Sequence, residues 1–170
     1  MLIFGHIGIT LGIFFMLGSL FPGIKPHIDY RYVAFGSLLP DLIDKPIGRV
    51  ILAESVANGR IIAHTLVFCI LLFLLGYYFY QSRGDARVII IAGASFCHLL
   101  EDQMWTEPTT FFWPMFGWSF PYKASYGSSI DYSLEMLSRS LSADFFQFFS
   151  LELIGFIVIL LIIVISLWKK

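Results

Sequence analysis

Long apolar runs separated by short polar turns divide this chain. The first run extends from about Leu2 to Phe21 and is stopped by Pro22-Gly23. Gly8 and Gly12 within it have the small-xxx-small spacing that lets another helix backbone approach closely. After a polar turn, Gly23 to Arg31, comes Tyr32 to Ile43, a short apolar stretch broken by Gly36 and Pro40 and followed by carboxylates at Asp41 and Asp44. A spanning helix needs about 20 residues, so this stretch is predicted to be a short, partly re-entrant helix whose Pro-Asp end delivers a carboxylate into a cavity. Lys45 to Arg60 is more polar and is placed outside the membrane or along its interface. Ile61 to Gln81 is the second long run, with His64-Thr65 in its first turn. Ser82 to Asp85 is a tight turn, and Ala86 to about Met104 is the third run. The fourth, Glu152 to Trp168, is the plainest transmembrane pattern.

Between the third and fourth runs lies an irregular section, Trp105 to Pro121, with three Trp, four Phe and three Pro. Its prolines preclude one uninterrupted helix, and its tryptophans suit the headgroup level of a bilayer. A loop capping the bundle and a substrate-binding surface both fit. Residues 123–149 read as amphipathic or loop. The pattern predicts an all-α integral membrane protein with about four transmembrane helices, a short re-entrant helix and an aromatic-rich interfacial loop. These form a single domain over residues 1–170, with its core at about 1–121 and a C-terminal anchor helix at about 152–168.

Composition agrees. The 170 residues are 58% hydrophobic and 14% charged, with mean hydropathy +0.80; soluble domains have about 45–50% and about 25%. The formal charge of −1 and the lack of a basic tract argue against a nucleic-acid partner. Cys69 and Cys97 lie in apolar runs without metal-type spacing and read as packing residues.

The third run ends in His98, Glu101 and Asp102, which share one helix face at spacings of three and four. Ionisable groups at membrane depth are expensive unless paired, wetted or bound to a cation. If the chain crosses in the first run and returns through Tyr32 to Asp41, then His6, Asp41, Asp44, His64, His98, Glu101 and Asp102 all come to one side. The other side then holds Lys25, Arg31, Arg83, Arg87, Lys169 and Lys170 in short loops and at the end, while Lys45, Arg49, Arg60, Lys123 and Arg139 are spread over long loops. Basic residues in short loops mark the cytoplasm, so the polar cluster is expected on the extracytoplasmic side of a multi-pass cell-membrane protein. His27 falls on the opposite side and is assigned to no site.

Imidazole and carboxylate form a ligand set for a zinc-class divalent ion. His64, His98, Asp41 and Asp102 are expected to hold one ion, and Asp102 with His6 could begin a second site. Two adjacent ions clamp the attacking and leaving oxygens of a phosphoester, and one ion already makes its water a nucleophile. Asp44 and Glu101 are candidates for a general base or for orienting an imidazole. A lone His6 also reads as a packed or interfacial histidine, and Asp44 as a helix cap or partner of Lys45.

Gly5-His6, Gly36-Ser-Leu-Leu-Pro-Asp-Leu-Ile-Asp44-Lys-Pro, Gly59-Arg-Ile-Ile-Ala-His-Thr65 and His98-Leu-Leu-Glu-Asp102-Gln resemble the YdjM-like membrane-bound metal-dependent hydrolases. These are also described as LexA-binding, inner-membrane-associated hydrolases. The resemblance covers roughly residues 1 to 121. More distantly the chain is similar to the zinc-dependent phospholipase C and single-strand nuclease superfamily, whose ligand order His, Asp, His, His-x-x-x-Asp is matched by His6, Asp41, His64, His98 and Asp102. That superfamily's N-terminal tryptophan is here Met1, no His follows His98, and Gly59-Arg60 stands where many relatives carry a further His. The resemblance implies a hydrolase; the convergence of ionisable groups at one depth makes a phosphoester of a membrane lipid or lipid-linked molecule the expected substrate. Two other classes remain open: a non-enzymatic scaffold or regulator-binding protein with a structural metal or polar network, and a transporter.

Overall fold

The computed structural model describes residues 3–52, 55–122 and 144–168, and all regular structure among them is helical. The helices are α1 (Ile3–Leu20), α2 (Tyr30–Pro46), α3 (Leu66–Arg83), α4 (Arg87–Glu101), the short α5 (Pro108–Phe111) and α6 (Asp144–Trp168). Single 3-10 turns lie at Lys25–His27 and Met104–Thr106, and a π-turn, Ile47–Ile51, extends α2. The expectations for residues 123–143, including Lys123 and Arg139, lie outside the described residues, as do those for Met1, Lys169 and Lys170.

Helices α1 and α3 are long and apolar enough to cross a membrane, and Phe149–Ile165 of α6 is a further apolar helical run. Their packing has an inverted polarity. Phe73, Leu74, Leu75 and Tyr78 stand exposed on α3, and only 11% of its apolar window is buried. Meanwhile His6, Thr10, Ser37, Asp44, His64, Ser95 and His98 are each at most 1% exposed. Apolar side chains facing outward around a polar interior are what a bilayer solvent selects.

Helix α4 sits at the centre, packed on α2, α3 and α1, while α6 packs along α1. Small residues make these approaches possible. A Cβ on Gly8 would lie 2.0 Å from the Gly155 carbonyl oxygen, so α1 and α6 touch backbone to backbone. The spacing noted at Gly8 and Gly12 thus finds its partner face in Gly155 and Val158. A Cβ on Gly36 would meet Ile91 and Ala94 of α4 at 2.7–2.9 Å.

Two predicted elements differ. The stretch expected as a short, broken, re-entrant element is a 17-residue helix, begun by Asp29, whose side chain accepts the Arg31 N–H at 3.0 Å, and continued through Pro40. A proline inside a helix removes one i to i−4 hydrogen bond, and the carbonyl released, that of Gly36, accepts the Ser95 hydroxyl at 3.0 Å. Partnered in this way, Pro40 does not end the helix. Second, α3 begins at Leu66, so His64 precedes the helix instead of lying in its first turn. Thr65 is the N-cap, accepting the Phe68 N–H at 3.1 Å. Residues 61–64 form a loop whose N–H groups are held elsewhere, as described below. At its other end α3 stops at Gly84, left-handed at φ +68°.

The aromatic section folds back over the bundle. Met104 and Phe111 are buried against Cys69 and Leu99, the Asn58 amide donates to the Pro121 carbonyl at 3.1 Å, and Met115, Phe116 and Trp118 remain exposed.

The Gly8–Gly155 contact is testable. Gly8→Val drives a side chain into backbone, and over-packing costs about 1–3 kcal/mol. The melting temperature in detergent is expected to fall for Gly8→Val and to stay within about 1 °C for Gly23→Ala, where a Cβ meets nothing within 4 Å.

Candidate metal centre

Four segments converge at one end of the bundle. The start of α1 supplies His6, the end of α2 Asp41 and Asp44, the loop before α3 His64, and the end of α4 His98, Glu101 and Asp102. His27 lies at the opposite end, its ring against Tyr80 near the α3–α4 turn.

Asp44 builds the loop that carries His64. Fully buried, it accepts the backbone N–H groups of Ile61 at 2.7 Å, Ala63 at 2.9 Å and His64 at 3.1 Å. The His64 ring then donates its Nδ1–H to the same carboxylate at 2.8 Å. One side chain therefore closes three backbone donors and sets an imidazole, so the loop needs no secondary structure of its own.

Each of the other imidazoles is fixed from behind in the same way. His6 Nδ1 donates to Glu101 Oε2 at 2.7 Å, and Thr10 Oγ1 donates to Glu101 Oε1 at 2.8 Å. His98 Nδ1 donates to the Ser37 carbonyl at 2.7 Å. A carbonyl can only accept, so Nδ1 of His98 carries the proton and Nε2 the lone pair. Ser95 and His98, one turn apart on α4, thus grip adjacent carbonyls of α2 in the turn preceding Pro40.

With their Nδ1 atoms engaged, all three rings turn Nε2 inward. His64 and His98 Nε2 lie 3.3 Å apart, and the His6 and His98 rings stack with centroids 4.1 Å apart. Asp41 Oδ1 is 3.7 Å from His64 Nε2 and 3.9 Å from His98 Nε2. Asp102 Oδ1 is 3.4 Å from His6 Nε2, and its Oδ2 is 4.0 Å from His64 Nε2. Two overlapping triads result, His6–His98–Asp102 and Asp41–His64–His98, with ligand atoms within 4.8 Å of one another in each. Either can hold a metal ion. They share His98, whose one inward nitrogen serves one ion at a time.

All seven residues read from the sequence as site candidates are brought together here. The structure places Asp44 and Glu101 behind imidazoles, with both oxygens of each engaged, and Asp41 and Asp102 in front. Two further residues reach the cluster. Arg60 NH2 meets Asp102 Oδ2 at 2.7 Å, and Lys45 Nζ meets Asp41 Oδ2 at 2.5 Å. Lys45 is legible as an i, i+4 partner on α2; Arg60 has no local signal, because its carboxylate lies far along the chain.

Asp44→Asn removes a charge that three N–H groups and a ring share. Metal affinity is expected to fall about 10–100-fold, the usual result of disturbing a group that orients a ligand. Titration of the purified protein with a chromophoric divalent ion measures it, beside Asp29→Asn at the remote α2 cap as the unaffected control.

Neither the curated proteins nor the solved structures give a match to this chain. One family model does, over residues 1–170, that of the YdjM inner membrane protein. Apolar, outward-facing helices accord with that description, and the chain belongs to the YdjM inner membrane protein family.

Proposed function

We propose that this chain is a membrane-bound, metal-dependent hydrolase of phosphoester bonds in a lipid or lipid-linked substrate. The observation that supports it most is the convergence of three Nε2 atoms whose Nδ1 partners are already fixed. Two lone-pair nitrogens facing each other at 3.3 Å need a proton or a cation between them. Two nitrogens bound to one tetrahedral zinc-class ion at 2.0–2.1 Å are separated by about 3.3 Å, which fits this pair. The reading therefore assigns one zinc-class ion, held by Asp41, His64, His98 and Asp102 with His6 adjoining.

When bound, such an ion supplies Lewis acidity to a phosphoryl oxygen and a water acidic enough to attack at neutral pH. The protein's own part is positional. Glu101, Asp44 and the Ser37 carbonyl hold the imidazoles in one tautomer. Asp41 Oδ1 and Asp102 Oδ1 face the centre, where they would hold the ion. In this reading Asp44 and Glu101 orient ligands and do not serve as the general base, since their oxygens are committed.

The same reading places α1, α3, α4 and α6 across the membrane, with α2 packed among them. Lys25, Arg31, Arg83 and Arg87 lie at the end away from the cluster; by the excess of basic residues in short cytoplasmic loops, the site faces the extracytoplasmic side. The ligand order supports a distant relation to the zinc-dependent phospholipase C and nuclease superfamily. A second reading, a non-enzymatic scaffold or regulator-binding protein, draws on the self-sufficiency of the network: Asp44 and Glu101 are fully hydrogen-bonded by protein alone.

Elemental analysis of detergent-purified protein tests for the ion, and turnover separates the two readings. About one divalent ion per chain is expected in the wild type, lost in His98→Ala and His64→Ala. Turnover of phospholipid mono- and diesters is expected in the metal-loaded wild type and at background in His98→Ala; equal turnover in both would sink the hydrolase reading.

A further inference from the structure

The two cations at the cluster occupy equivalent positions. Asp41 and Asp102 each turn one oxygen toward the imidazoles, and the other oxygen of each is held by a side-chain cation. Asp41 Oδ2 is held by Lys45 and Asp102 Oδ2 by Arg60. The two contacts come from different parts of the chain, the end of α2 and the loop before α3. Both cations stand further out than the groups they serve. The Lys45 and Arg60 side chains are 49% and 33% exposed, against 2% or less for the three imidazoles. Arg60 also has Glu107 Oε1 at 3.8 Å from NH1, so one edge of its fork is shared with a second, half-buried carboxylate.

This arrangement has a consequence. A carboxylate with one oxygen bound by a cation offers a metal ion only its other oxygen, which keeps ligation monodentate and leaves coordination positions for water and substrate. The guanidinium and the ammonium are the two partly exposed cations at the cluster. A guanidinium has five N–H donors in a fixed fork matched to a phosphate's oxygens; an ammonium has three rotatable ones. Neither exhausts its donors on one carboxylate oxygen.

We propose that Arg60 and Lys45 form the anion-recognising rim of the centre, binding the non-bridging oxygens of a phosphoester that the centre would hold. This deepens the hydrolase reading and rests on it. It also gives Arg60 a role as a fixed positive charge beside Asp102. The shared chemistry is a tetrahedral phosphate anion, whether free or carried by a lipid headgroup.

The test uses full-length protein loaded with cobalt(II), whose visible absorption reports its coordination, in detergent and in nanodiscs. In detergent, inorganic phosphate is expected to change the spectrum saturably in the wild type. In Arg60→Gln and Lys45→Gln the cobalt content is expected to be retained while phosphate binds about tenfold more weakly or worse, the usual scale for losing a hydrogen bond to a charged group. Nanodiscs containing phosphatidic acid, compared with phosphatidylcholine alone, distinguish the sources: a spectral change with the acidic lipid marks a headgroup site, and a response to inorganic phosphate alone marks a soluble anion. Unchanged phosphate affinity in both variants overturns the rim, as does loss of cobalt from both, which makes these residues supports of the ligands only. If Arg60→Gln does not fold, Arg60→Lys, which keeps charge but not the fork, and Lys45→Gln carry the test. Failure of the wild type to take up cobalt overturns the metal reading itself, a result distinct from cobalt uptake without phosphate binding.

Discussion

The centre depends on a single buried carboxylate. Asp44 is sealed from solvent, and removing a carboxylate from water costs several kcal/mol unless hydrogen bonds compensate. It is compensated by the backbone of 61–64 and by the His64 ring. This gives α2 and the loop before α3 a fixed relation. It also explains why an irregular segment survives in apolar surroundings: three of its N–H groups are held by one carboxylate. Glu101 performs the corresponding task between α1 and α4 through His6 and Thr10, and the Ser37 carbonyl performs it between α2 and α4. Two helix pairs, and α2 with the loop before α3, are therefore joined through the back edges of three imidazoles.

Packing supplies the precision that these hydrogen bonds require. Glycines at positions 8, 36 and 155 let neighbouring backbones come within contact, and in lipid, where apolar surface gains little by leaving its surroundings, such close packing is the main cohesive force between helices. Gly36 brings α2 onto α4 at the level where Ser95 and His98 reach across. Pro40 exposes one of the two carbonyls they take. A helix defect and a ligand-orienting bond are parts of one local arrangement.

Much of the site was legible from one sequence because ionisable residues in apolar runs are costly, and each one noticed there, from His6 to Asp102, has a place in the cluster. The direction of travel of α2 was enough to bring Asp41 beside His98. What escaped has physical reasons. Proline and glycine in Tyr32 to Ile43 read as breaks because their compensation comes from α4, sixty residues away in sequence. His64 read as helical because its apolar neighbours continue the pattern of α3; the loop is formed by Asp44, which propensity does not see. The partner of Gly8 lies in the last helix, and Arg60 stood in a polar stretch where nothing local pointed to Asp102. Long-range partners carry no periodicity.

The contact between Gly8 and Gly155 bears on the order in which the molecule can be assembled. His6 is synthesised well before Glu101, which orients it and ends α4, and the backbone that supports its helix emerges only with α6. Gly5 is likewise tied by its N–H to Glu152 at 3.0 Å. Helix α1 therefore lacks these neighbours until α6 has been made. A chain translated only as far as α2 holds an incomplete cluster, and α1 gains its full support only once residues as far apart as Gly8 and Gly155 have met.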